Sequence, residues 1–206
     1  MNTVADPASL QLPAIGAPFE GGFFAGLVDV DGDRFALVVA PKFDGEHDDI
    51  EWNDREARVV GAQSYCDGRA NTLAMQAAGS VLAGWALDLR IGGFDDWYLP
   101  SQDELEICYR ACKPTTDRNY LWVRSGINLS AVPPTRPYAA DFPVQTPLEA
   151  FQPEGAEAFE PTWYWTSTQH AGYVDSAWSQ EFGYGLQDYD RKGYQLRARA
   201  VRRVAI

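Results

Sequence analysis

Trp163-Tyr164-Trp165-Thr166-Ser167-Thr168, then Ser176-Ala177-Trp178-Ser179-Gln180-Glu181-Phe182-Gly183-Tyr184-Gly185, then Arg197-Ala198-Arg199-Ala200-Val201-Arg202-Arg203: these pieces of the last quarter decide the reading of the chain. Aromatic and β-branched residues predict strands at Trp163–Thr168, Ala177–Phe182 and Gln195–Val204. Between them lies a segment crowded with Tyr, Asp, Gln and Gly. Stiff frame residues alternating with amphipathic side chains gain contact area at low entropic cost, which is what a binding face needs. The frame is assigned to Trp97, Trp163, Trp165, Trp178 and Phe182. Trp178 and Phe182, four apart in a strand pattern, point to one side. The candidate contacts are Gln169, His170, Tyr173, Asp175, Glu181, Tyr184, Leu186, Asp188, Tyr189, Lys192 and Tyr194, and they are expected to be exposed. Gly172, Gly183, Gly185 and Gly193 supply the turns that gather these loops.

Upstream, Ser101-Gln102-Asp103-Glu104 predicts a helix start with a capping box, running to about Ala111 and stopping before Pro114. This assigns Glu104 to a cap and not to acid catalysis. A short strand, Trp97-Tyr98-Leu99, precedes it. From Gly61 to Leu89 apolar residues recur at helical spacing and predict one long helix ended by Gly92-Gly93. Phe23–Val28 and Arg34–Val39 predict a hairpin around Asp29-Val30-Asp31-Gly32-Asp33. Those five residues imitate the start of a calcium loop, but Ala40 stands where the bidentate Glu belongs. Residues 1–18 read as a flexible arm or attachment segment, and 19–206 as one domain. Within it, residues 113–162 form a Pro-rich irregular insertion whose tip, Pro133–Pro153, is expected over a neighbouring subunit.

The formal net charge is −12, and because Arg191–Ile206 carries six basic and no acidic residues, the rest of the chain carries −18. So acidic a body repels phosphates, and nucleic-acid binding is not expected. Strand-like alternation in Arg197-Ala198-Arg199 reads as paired residues on a strand and not as a basic arm. No apolar run is long enough to span a bilayer, and the start lacks the pattern of a secretion signal. Cys66, Cys108 and Cys112 are read as reduced thiols, without a metal. Catalysis is not expected. His170 and His47 are the only histidines, no nucleophile elbow or HExxH is present, and Asp95-Asp96 on one turn are ill placed as a glycosidase pair.

The stretch Gly92-Gly93-Phe94-Asp95-Asp96-Trp97-Tyr98-Leu99-Pro100-Ser101-Gln102-Asp103-Glu104-Leu105 resembles the G-(F/Y)-x-D-W-R-L-P-(S/T)-x-x-E-L signature of Lcl C-terminal-like domains. Tyr164–Thr168, Ala177-Trp178 with Phe182 and Gly185, and Arg199–Arg202 are similar to later motifs of that family, over roughly Gly61–Arg203. The resemblance implies an α+β, C-type-lectin-like fold of small twisted antiparallel sheets, two helices and long irregular loops. Similarity to the phage-encoded subgroup and to major tropism determinants implies a non-enzymatic adhesin at a phage tail tip. It would be assembled in the host cytoplasm and would recognise a host-surface glycan or protein through Gln169–Leu196. Other tail proteins are the implied partners, and tail symmetry suits a trimer. No cofactor is implied; calcium occurs in the fold at large, but no convergent carboxylates demand it here. A structural tail component and a glycan-degrading or formylglycine-generating-like enzyme are the alternatives; the last is disfavoured because no cysteine lies beyond Cys112, where that resemblance would place a reactive thiol. The chain departs from the signature at Tyr98, where the family has Arg, and no stretch of it reads as a fibre shaft, so another protein or the N-terminal arm is the expected mount.

Overall fold

A computed structural model describes residues 11–54, 57–122, 124 and 126–206. It is a mixed helix and sheet structure with two curled sheets. The first holds β1 (Pro18–Phe19), β2 (Gly22–Val30), β3 (Asp33–Val39) and β9 (Val201–Ala205), in the order β1-β2-β3-β9 and antiparallel throughout. The second holds β4 (Glu46–Glu51), β5 (Trp163–Gln169), β6 (Ser176–Glu181), β7 (Gln187–Arg191) and β8 (Gln195–Arg199), in the order β4-β8-β5-β6-β7. Its β5–β8 pair is parallel, so the expectation of purely antiparallel sheets is corrected there. Among the described residues four α-helices, where two were expected, and one 3-10 turn (Glu149–Phe151) accompany the sheets: the short α1 (Lys42–Gly45), then α2 (Gly68–Ala77), α3 (Val81–Asp88) and α4 (Gln102–Cys112).

The hairpin forms where the sequence placed it. Asp31 and Gly32 both take positive φ, and the Gly32 amide donates to Asp29 Oδ1 at 2.8 Å, so these carboxylates serve a turn. The single helix expected over 61–89 is two helices, because Gly79 adopts φ +89° after Ala77 and Ser80 caps α3 by accepting the Ala83 amide at 3.2 Å. The Ser80 hydroxyl also donates to the Trp52 carbonyl at 2.6 Å, a contact that fixes the break.

The capping box at α4 is complete, and its glutamate does more than cap. Glu104 Oε2 accepts the amides of Ser101 (2.8 Å) and Gly68 (3.1 Å), while Oε1 accepts the Tyr98 hydroxyl at 2.7 Å. One buried carboxylate thus joins the starts of α2 and α4 to the segment before α4. Tyr98, in place of the signature's Arg, substitutes a neutral donor for a charge. The expected strand over Trp97–Leu99 shrinks to one bridge between Tyr98 and Val201.

The strand expected over Gln195–Val204 breaks at Ala200. The Ala200 carbonyl accepts the Ala40 amide and its own amide donates to Gly45, so here the chain leaves one sheet for the other. The arginines around this seam are paired, as their spacing indicated. Arg197 meets Glu46 and Asp48, Arg199 meets Glu157, Arg202 grips Asp96 with two bonds (2.6 and 3.0 Å), and Arg203 meets Asp67.

Residues 11–18 are not a free arm: the Gly16 amide donates to Phe24 and the Phe24 amide to Ala17, so pairing starts before residue 18. Residues 1–10 of the expected arm lie outside the described residues. The insertion packs on its own chain. Asn128 donates to the Asp103 carbonyl and Glu106 Oε2, Ala131 bridges Val28, and Tyr138 is buried with its hydroxyl on Glu106. Lys113, also buried, donates to the Asp117 carbonyl, Asn119 Oδ1 and the Pro143 carbonyl. Cys108 and Cys112 are buried and free.

Candidate functional site

The candidate contacts do not form one face. β6 is six residues long, so its two end loops stand roughly 20 Å apart at about 3.4 Å per residue. His170, Tyr173, Asp175, Lys192 and Tyr194 belong to one end, with the β5–β6 and β7–β8 turns. Glu181, Tyr184 and Leu186 belong to the other, with the β6–β7 turn. The sequence missed β7, which lies between these ends at the sheet edge and carries Asp188 and Tyr189.

Burial removes three candidates from any exposed surface. Gln169 is buried and its side-chain carbonyl accepts from the Val59 amide (2.7 Å) and Lys192 Nζ (2.7 Å). Lys192 is buried among carbonyls. Glu181 is buried and accepts the Tyr184 amide at 2.7 Å, shaping the β6–β7 turn; desolvation holds its carboxyl above the ordinary range despite these bonds. All three are corrected from contacts to supports. Among the frame residues, Trp97, Trp165, Trp178 and Phe182 are buried, whereas Trp163 is only half-buried. Phe182 sits just past β6 and stacks on Phe159 in the main core (4.1 Å), while Trp178 heads a separate group near the surface.

That group is an aromatic ledge. His170 stacks on Tyr173 with centroids 4.8 Å apart and rings 20° from parallel, and Tyr189 lies 4.4 Å from His170 and 5.3 Å from Tyr173. Trp178 meets Tyr189 edge-on at 5.8 Å and His170 at 5.3 Å. Tyr173 and Tyr189 remain 54% and 38% exposed. The ledge extends to Tyr65, 6.4 Å from Trp178, over which the Arg124 guanidinium sits at 4.7 Å. Arg124 is held by Asp103 at 2.7 Å. Neither Tyr65 nor Arg124 was legible as a site residue, because each comes from a different segment and reaches the ledge only through the fold.

His170 is fixed as a ring surface. Its Nδ1 accepts the amides of Gly172 (3.1 Å) and Tyr173 (2.9 Å), and burial lowers its pKa, so the ring is biased towards the neutral form. The buried Trp178 indole N–H has no hydrogen-bond partner among the described residues, which leaves a costly donor beneath the ledge. At the opposite end Tyr184 packs on Tyr120 at 6.1 Å, and the Tyr120 amide donates to the Tyr184 carbonyl. Leu121 and Trp122 continue this second patch, 55% and 57% exposed.

The ledge lies apart from two cavities of the fold. A cavity of about 530 Å³ is lined by Lys42, Phe43, Glu46, His47, Asp48 and Ala156. Another, of about 430 Å³, runs between β2, α4 and residues 131–136. Neither is lined by a ledge residue. Among the described residues no group of three or more His, Cys, Asp or Glu side chains is arranged to hold a metal ion, and no helix is long and apolar enough to cross a membrane.

The structure is thus a mixed helix and sheet one whose first strands and last strand share a sheet, with a row of rings on the other sheet. The chain belongs to the Lcl C-terminal domain family, a carbohydrate- and receptor-binding-like family, whose model matches residues 45–202, about three-quarters of its length. The match begins earlier than the motifs suggested and takes in β4. No curated protein matches the chain.

Proposed function

We propose that this protein is a non-enzymatic receptor-binding module of a phage tail tip, with a C-type-lectin-like fold, and that it recognises a host-surface glycan through the ledge of His170, Tyr173 and Tyr189. The observation that carries this reading is the stacked, half-exposed ring row over Trp178. Flat rings backed by a rigid sheet offer a sugar's apolar face a low-entropy partner. Asp175, in the same loop as Tyr173, supplies a hydrogen-bond acceptor for hydroxyls. The fold reading is supported by closure of β9 on β3 beside the amino-terminal hairpin, with the long insertion between α4 and β5. The non-enzymatic reading is supported by the ledge lying apart from those two cavities, since catalytic centres favour concave sites, and by His170 Nδ1 already bound to two amides.

The test is adsorption of virions carrying Tyr173→Ala and Tyr189→Ala together. Particles are expected to assemble and fail to adsorb; normal adsorption would sink the reading. Incubation of purified protein with host polysaccharide is expected to release no sugar, and release would place the chain among tail enzymes. A structural tail component is the second reading, favoured by the exposed patch of Tyr120, Leu121 and Trp122 beside Tyr184. Loss of assembly in Leu121→Ser would favour it.

A further inference from the structure

Lys192 lies where four segments meet. Its ammonium donates to the carbonyls of Ala57 (2.6 Å) and Val174 (2.7 Å) and to Gln169 Oε1 (2.7 Å), and the Trp52 ring is 4.8 Å away. Its backbone is committed to the same segments, the amide donating to Asp175 and the carbonyl accepting from Trp52. Gln169 passes the contact on to the Val59 amide, and Arg58 reaches the Ala171 carbonyl at 3.2 Å. The loop held in this way, 170–175, is the one that carries His170 and Tyr173.

We infer that Lys192 is a positioning residue whose buried ammonium pins the β5–β6 loop against residues 57–59 and thereby sets the place of His170 and Tyr173 on the ledge. The consequence for binding rests on the function proposed above; the consequence for loop order does not. Three acceptors face the side chain, and an ammonium has three N–H bonds to give them. A neutral amine has two, so deprotonation leaves one carbonyl-type oxygen without its donor. The charged groups facing it are Asp175, from the β5–β6 loop, and Arg58, from the 57–59 segment. Burial outweighs the pull of Asp175 and brings the Lys192 pKa down from 10.5 to about 8, with Arg58 adding to the fall. The pin therefore weakens in mildly alkaline solution.

Amide exchange on Lys192→Met, compared with wild type at neutral pH, tests this. Exchange at 171–176 and 57–59 is expected to speed up about tenfold or more, the loss of charge-assisted bonds, while the amides of β2 and β3 stay unchanged. Equal exchange in both proteins, or a uniform rise across the whole chain, would overturn the inference. Should the variant not fold, the wild type decides. Between about pH 7 and pH 9.5 its resonances at 171–176 are expected to shift with a midpoint near the Lys192 value, and a flat profile would overturn the inference equally. Receptor binding is measured separately: a wild-type protein that binds no host glycan would defeat the ledge proposal and leave the exchange result to judge the pin.

Discussion

Replacing Arg199 by alanine strikes the seam where β8, the end of β3 and the insertion meet. Its buried guanidinium donates from Nε to the Ala40 carbonyl (2.9 Å), from Nη1 to the Glu157 carbonyl (2.8 Å) and from Nη2 to Glu157 Oε2 (2.7 Å). It also lies 4.6 Å over Phe159 and 3.7 Å from Glu46 Oε2. Truncation leaves two carbonyls without this donor and removes a counter-charge from two acids. Breaking one side of a buried ion pair costs about 3–5 kcal/mol. Glu157 Oε2 keeps the Lys42 amide (2.7 Å) and Glu46 keeps Arg197, which places the loss at the lower end, about 3 kcal/mol. For a chain of this size that is a fall of roughly 10 °C in unfolding temperature. Urea and thermal unfolding followed by tryptophan fluorescence would measure it. A loss under about 1 kcal/mol would refute the reasoning and return these arginines to a surface role.

Further outcomes follow from other contacts of the fold. Burial holds the carboxyls of Glu46, Asp103, Glu104, Glu106, Glu181 and Asp190 above their ordinary values. The folded chain then keeps protons that the unfolded chain has released, so stability falls as pH rises through that window. The unfolding temperature should therefore fall as pH rises above the ordinary carboxylate range, with the lowered His170 opposing only in part; a rise would contradict the assignment. Gly185→Ala should cost about 3 kcal/mol, because its φ is +77° and a Cβ would meet the Tyr109 ring at 2.6 Å. Gly79→Ala, with φ +89° but open space, should cost only about 1 kcal/mol in the same denaturation assay. Finally, a thiol reagent should leave Cys108 and Cys112 unlabelled in the native protein, since burial raises both thiols, Cys112 to about 12. Rapid labelling of either would show that α4 opens.

What the sequence disclosed was local chemistry. The Asp31-Gly32 turn and the Ser101–Glu104 box are set by neighbours within a few residues, and both form as read. The alternating arginines were legible as strand residues because their period is a backbone property. The break at Gly79 was hidden by an apolar period that continues across it. β7 was hidden because Gln187-Asp188-Tyr189-Asp190-Arg191 has no apolar face, its register coming from β6 alone. The division of the candidate face follows from the same missed strand: once β6 and β7 run antiparallel, residues near in sequence are carried to opposite ends. The burial of Lys192 had no local sign at all, since its partners Ala57, Gln169 and Val174 come from separate segments.

The most direct measurement is a titration of purified protein against the host's surface polysaccharide, comparing wild type, the Tyr173→Ala/Tyr189→Ala double variant and Tyr184→Ala. Loss of a binding hot spot costs about 2 kcal/mol or more, so the double variant should bind at least roughly 30-fold more weakly. Tyr184→Ala, at the far end of β6, should stay close to wild type. Equal affinity in the double variant, or a loss confined to Tyr184→Ala, would contradict the ledge as the receptor site.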